Sequence, residues 1–232
     1  IKSSGIRLSE VEENSGHTTI NNKKLKQLFN NDNINKIPKQ ERELFAKKLV
    51  AQATLTPENK PSIETILHTL LSKYTLHTHP ITVNAITCKQ NWKETFQKLF
   101  PQEKKLFVPY HTPGIHLAQE LYKQLQAYQK KHTHIPSIIF LQNHGLIVTA
   151  QTHTEVRRLT DYVVIELEKY LAADFSNYRL TNKLSQLVNT SCNNNIVTYL
   201  CTDITLSNII AHNKALLLNE PFCPDTLVYC GY

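Results

Sequence analysis

Residues 137–171 read SIIFLQNHGLIVTAQTHTEVRRLTDYVVIELEKYL, and the fold is decided by how this stretch is parsed. Ser137 to Gln142 is an apolar run bounded by Pro136, and Leu146 to Ala150 is a second. Short runs rich in Ile, Val and Phe read as strands. Between them, Asn143-His144-Gly145 has the chemistry of a hairpin turn. Thr152 and Glu155 then form a capping box. It opens a long amphipathic helix carrying Val156, Leu159, Val163, Leu167 and Leu171.

Working outward, Thr112-Pro113 predicts a helix start with proline in the first turn. Leu117, Leu121 and Leu125 line its face. Pro61-Ser62 predicts another start, with Ser62 as the N-cap and Ile63, Ile66, Leu67, Leu70 and Leu71 at helical spacing. Tyr74 to His79 reads as a short strand ended by Pro80, Ile81 to Cys88 as a helix opening, and Ile196 to Cys201 as a further strand. Residues 41–57 fit either a helix or a strand edge. Strands alternating with helices, without a Gly/Ser linker, predict one layered α/β domain over residues 1–232.

Composition narrows the function. With 41% hydrophobic and 19% charged residues, the chain is globular rather than disordered. The five cysteines are scattered and odd in number, which argues against a secreted disulfide framework or a cysteine zinc knuckle. No apolar run approaches a membrane span and no signal peptide opens the chain, so we expect a cytoplasmic protein without a membrane partner. The net charge of +7 is spread among Asn, Gln and Thr. That describes a lysine-rich surface better than a nucleic-acid stripe. No G-x-G-x-x-G or phosphate-loop motif is present.

Three features converge on metal chemistry. His77 and His79 alternate along a predicted strand and so share a face. His144 sits in the rigid Gln-Asn-His-Gly turn. Glu64 lies in the first turn of the predicted Pro61-Ser62 helix, where the helix dipole favours a carboxylate. Three imidazoles and one carboxylate are a ligand set suited to zinc, and a carboxylate beside a metal can move a proton. His132 and His134 repeat the H-x-H spacing in a polar, lysine-flanked loop and read as a solvated pair. His68, one turn beyond Glu64, reads as a packed histidine.

Pro61-Ser62-Ile63-Glu64 followed by His77-Thr78-His79-Pro80, then Val108-Pro109-Tyr110-His111-Thr112-Pro113-Gly114, then Gln142-Asn143-His144-Gly145, resemble in order the motifs of the class II aldolase/adducin family. Ile1-Lys2-Ser3-Ser4-Gly5 is similar to that family's early phosphate-site strand. The resemblance runs from residue 1 to about residue 171. It implies a three-layer α/β/α sandwich around a mixed sheet, assembled as a homotetramer. It implies that His77, His79, His144 and Glu64 hold Zn2+ or another divalent metal, and that Glu64 is the acid/base. Ser4, Gly5 and Ser62 would bind phosphate, and Tyr110 would serve as a proton donor. The implied reaction is cleavage of a ketose or ketose phosphate through a metal-stabilised enediolate. Epimerisation or dehydration at the same metal is the alternative, and a non-catalytic adducin-like scaffold is a further one. The family places a helix and a Gly-Asn-x-Ser loop before the Lys-x-x-Gly strand, and the sequence lacks both. Ile63 stands where the family often has a second serine. The tail segment Pro221-Phe222-Cys223-Pro224-Asp225 resembles larger members in which such a domain precedes a sugar dehydrogenase.

Overall fold

The computed structural model describes residues 1–6, 10–56, 58–192, 196–198, 200 and 202–212. The chain divides into two compact units, Ile1–Ala172 and Ala173–Tyr232. The second unit contains helices α8 (Ser176–Cys192) and α9 (Ile204–His212); residues 196–198 and 200, within the strand expected at 196–201, carry no regular structure, and residues 199 and 201 lie outside the described residues. The tail segment 221–225 lies outside them too.

In the first unit the elements run α1 (Asn22–Lys26), α2 (Arg42–Ala53), α3 (Thr65–Thr69), β1 (Tyr74–Thr78), α4 (Ile81–Thr87), α5 (Trp92–Leu99), β2 (Lys105–Val108), α6 (Ile115–Gln129), β3 (Ile138–Leu141), β4 (Gly145–Ala150) and α7 (His153–Leu171). A 3₁₀ segment, Gln27–Lys36, follows α1. Among the described residues the strands form one four-stranded sheet in the order β1-β4-β3-β2. β2 and β3 are parallel, as the α6 crossover between them requires, whereas β4 pairs antiparallel with both β3 and β1.

Alternation of side chains along the strands builds two cores. Ile138 and Phe140 of β3, with Leu146 and Val148 of β4, pack against α4, α5 and α7 on one face. Phe96 stacks on Phe140 with centroids 3.8 Å apart. Ile139 and Leu141, with Ile147 of β4 and Leu106 and Val108 of β2, pack against α1, α2, α3 and α6 on the other face. β3 is therefore buried on both sides, which is why its sequence is continuously apolar. Helices on both faces of a mixed sheet make the three-layer α/β/α sandwich expected from the sequence.

The local differences have physical causes. Within the stretch 41–57, Arg42–Ala53 form helix α2, whose Ala46, Val50 and Ala53 are buried; residue 57 lies outside the described residues. The helix expected at Pro61-Ser62 starts only at Thr65. The Ser62 hydroxyl accepts from the Glu64 N–H at 3.3 Å, making a local turn that ends in Glu64 as N-cap. Ile63 consequently stands 52% exposed rather than in the apolar face. Likewise α6 starts at Ile115, because Gly114 has φ +105° and cannot belong to the helix. β2 carries too little pattern to be read, being four residues long and taking its pairing from β3; α5 is a further element absent from the sequence reading, although Trp92, Phe96 and Leu99 stand at helical spacing. Thr152 caps α7 as expected, accepting from the Glu155 N–H at 3.2 Å, while the Glu155 carboxylate turns to Arg158. Among the described residues no helix is long and apolar enough to cross a membrane.

Candidate metal centre

β1 lies at the edge of the sheet beside β4, and the turn that leads into β4 carries His144. The β1–β4 register sets His77 opposite Ile147, so His77 faces the core that also contains Ile66 and Leu67 of α3. Burial of those two residues fixes the start of α3 against this face and brings Glu64 over the strand end. Three separate segments thus converge. Glu64 Oε1 is 2.8 Å from His144 Nε2 and 3.3 Å from His77 Nε2. His77 Nε2 is 3.1 Å from the Nε2 atoms of both His79 and His144. The four potential ligand atoms all lie within 4.8 Å of one another.

The tautomer of His77 is assigned from its contact with a carbonyl. His77 Nδ1 lies 2.9 Å from the carbonyl oxygen of Leu146 and donates to it. A neutral His77 therefore presents a bare Nε2 lone pair to the group. Lone pairs of three imidazoles facing one another repel unless a proton or cation lies among them. Tetrahedral nitrogen ligands at the usual zinc–nitrogen bond length stand about 3.4 Å apart, close to the spacing here. The side chains of His77 and His144 are only 5% and 7% exposed, and that of Glu64 17%. His79 is the exposed member, so the group opens on that side. The donor set and its spacing fit a divalent cation, and the Leu146 carbonyl supplies the outer contact that orients a ligating histidine.

The electrostatics follow from this packing. Burial alone would raise the pKa of Glu64. With a proton in the cation's place between the imidazoles and the carboxylate, hydrogen bonds and charge from His144 and His77 outweigh it and hold the carboxyl well below the usual range. Burial pushes His79 down, helped by the neighbouring His77 and His144. His68, packed behind the group, is pushed down to about 4, first by burial and then by the charge of His77. It is a half-buried histidine held neutral, in keeping with the packed reading.

His77, His79, His144 and Glu64 are therefore brought together as the sequence predicted. One detail differs: His79 lies one residue beyond β1 rather than on it. Ser4 and Ser62 both line a cavity of about 490 Å³, together with Lys47, Lys60 and Glu43. Gly5, beside Ser4, has φ +81° with open space where a side chain would stand. Tyr110 stands 55% exposed at the surface. Its backbone N–H donates to the Gln142 side chain at 3.1 Å, tying its loop to the turn that carries His144.

Sequence reasoning missed three contributors. The Leu146 carbonyl is backbone, and no residue pattern announces it. Glu43 lies on α2, remote in sequence from the motifs. Gly145 was read as a turn glycine, but the left-handed backbone of the turn is at Asn143, with φ +52°. Gly145 is needed for close approach instead: a Cβ there would meet the Thr78 carbonyl oxygen at 2.5 Å and His79 Cδ2 at 2.8 Å.

The model of the Class II Aldolase and Adducin N-terminal domain family matches residues 3–171, and the chain belongs to this family. The match ends where the first compact unit ends. The uncharacterized oxidoreductase YuxG of Bacillus subtilis (strain 168) is 29% identical over 113 residues, 48% of this chain and 16% of that protein. The matched stretch is thus a small part of this curated relative. Among solved structures, the N-terminal class II aldolase domain of a conserved protein from Thermoplasma acidophilum superposes with a TM-score of 0.59 at 23% identity, covering 73% of each chain. That likeness supports the shared fold.

Proposed function

We propose that this chain is a divalent-metal-dependent aldolase, a lyase that cleaves a ketose or ketose phosphate into two smaller carbonyl compounds. The observation that carries the reading is the convergence of the His77, His79, His144 and Glu64 ligand atoms within 4.8 Å. In this reading the three histidines hold zinc, and Glu64 completes the group until substrate arrives. Bound there, the ion supplies Lewis acidity toward substrate oxygens as the carbon–carbon bond breaks. Glu64, ionised and anchored by the imidazoles, is then free to take and return the proton at the carbon left behind. Tyr110 is assigned the proton on the aldehyde side, from a neighbouring subunit of a homotetramer. Ser4, Gly5 and Ser62 receive the distal end of the sugar. The reading places the protein in the cytoplasm.

The test is metal content by elemental analysis, followed by a screen of ketoses and ketose phosphates for aldehyde release. About one zinc per chain is expected. His77→Ala should abolish both metal and activity while circular dichroism is unchanged. Stoichiometric zinc in His77→Ala would overturn the ligand assignment, and a loaded protein that releases no aldehyde but epimerises or dehydrates the sugar would replace the reaction.

A further inference from the structure

A cavity of about 700 Å³ lies along α6, and none of His77, His79, His144 and Glu64 lines it. One wall is α6 itself, from His116 to the lysines just past its end, a run of about 20 Å. The other is built by Phe29, Ile34, Asn35, Lys39 and Arg42. The two walls are fastened together. Phe29 stacks on Tyr122 with centroids 4.8 Å apart, and Gln119 Nε2 donates to Asn35 Oδ1 at 3.4 Å. These contacts fix an apolar floor, which Ile34 extends.

The rim is cationic. Among the described residues, Lys39, Arg42, Lys123, Lys130 and Lys131 line the cavity against one carboxylate, that of Glu120. Glu120 is already engaged: its Oε1 accepts from Gln124 at 2.6 Å, and its Oε2 has His111 and Lys123 each at 4.0 Å. No ion pair among the described residues occupies Lys39, Arg42, Lys130 or Lys131. Lys130 and Lys131 also offset the dipole at the C-terminus of α6, but that accounts for neither Lys39 nor Arg42 on the facing wall. Arg42 is clamped by carbonyls: its Nε donates to Ile37 at 2.9 Å and its Nη2 to Asn35 at 3.4 Å. The guanidinium is thereby held in place with further N–H groups to give.

We infer that this cavity binds a small organic polyphosphate, with its phosphates on the cationic rim and its apolar or aromatic body on the floor of Phe29, Tyr122 and Ile34. Like charges gathered on one concave surface raise its positive potential and concentrate an anion there. An arginine fork and lysines are the groups that bind phosphate oxygens. The volume is that of a small-molecule site with an apolar lining and a few placed polar groups; a flat basic stripe would offer no such floor. The inference does not depend on the metal-site reading.

The probe is ADP, which joins two phosphates to an aromatic body, with pyrophosphate and adenosine as its halves; each is titrated calorimetrically into the full chain. ADP is expected to bind about tenfold or more tightly than either half. Lys39→Gln and Lys130→Gln, one from each wall, should each weaken ADP by about tenfold, the worth of a charge-assisted hydrogen bond. Lys89 and Lys98 lie beside α4 and on α5, which pack on the other face of the sheet. The double variant Lys89→Gln/Lys98→Gln should leave the affinity within about twofold. His77→Ala should leave it unchanged. ADP that binds no more tightly than pyrophosphate would mean surface charge alone and overturns the inference. So does an equal loss in the Lys89→Gln/Lys98→Gln control, or no binding of ADP at millimolar concentration. Loss of ADP binding in His77→Ala would put the phosphate at the histidine group instead, and that too overturns it.

Discussion

Gly145→Ala is a substitution of one methyl group whose consequence can be worked from the structure. The new Cβ would stand 2.5 Å from the Thr78 carbonyl oxygen and 2.8 Å from His79 Cδ2. Carbon–oxygen contacts settle near 3.3 Å or beyond, so one side must retreat by about 0.8 Å. Carbon–carbon contacts settle near 3.5 Å or beyond, which asks about 0.7 Å of the imidazole. Gly145 and Thr78 sit at the adjoining ends of β4 and β1, where Thr78 pairs with Leu146, so neither backbone moves freely. The yielding group is the end of β1 that carries His79. A metal site tolerates displacements of about 0.2 Å in its bonds, several times less than the shift required. Zinc affinity should fall by about 10- to 100-fold, the range found when the outer supports of a ligating histidine are removed. Overpacking should also cost about 1–3 kcal/mol, lowering the melting temperature by a few degrees per kcal/mol. Competition against a chromogenic chelator gives the affinity, and a thermal melt of zinc-free protein gives the stability. Wild-type zinc affinity in Gly145→Ala would refute the reasoning. A lower melting temperature with full affinity would mean that β1 yields elsewhere and that His79 is not placed by this contact.

Two further expectations follow from the same group. Glu64→Gln should retain metal on the three imidazoles yet lose about 10²- to 10⁴-fold in turnover, the span of a lost acid/base; unchanged turnover would remove Glu64 from the chemistry. His68 gives the zinc-free protein a pH dependence. Its pKa falls from an ordinary 6.5 to about 4 on folding, so the unfolded chain gains the proton first as pH drops. Stability is flat above pH 6.5 and falls between there and pH 4. Between pH 7 and pH 5 this residue contributes a loss of about 2 kcal/mol. Urea midpoints of the wild type and His68→Gln at the two pH values check it: the variant should lose less, and parallel slopes would show that His68 is not held neutral by its surroundings.

How much of this was legible beforehand depended on the range of the interactions. The hairpin and the capped α7 were readable because turn chemistry, capping and helical periodicity act within a few residues. The candidate ligands were readable because two histidines two apart, a histidine in a tight turn and a glutamate after Pro-Ser stand in recognisable local settings. β2 was not, because four residues of Lys105–Val108 become a strand only by pairing with β3. The start of α3 was misplaced because the Ser62 hydroxyl spends its bond on a turn before the helix.

The sequence by itself determined which side chains could ligate a metal and where the β3–β4 hairpin and the capped helix α7 fall, since these are properties of residue type and local spacing. The tertiary structure alone decided that His77, His144 and Glu64, separated by up to 80 residues, share one small volume. Register between β1 and β4, and burial of Ile66 and Leu67 against the sheet, bring them there. It also decided that Glu43 from α2 accepts from the Ile115 N–H at the start of α6. Such contacts join segments remote in the chain, and the packing of the two cores is what makes them neighbours.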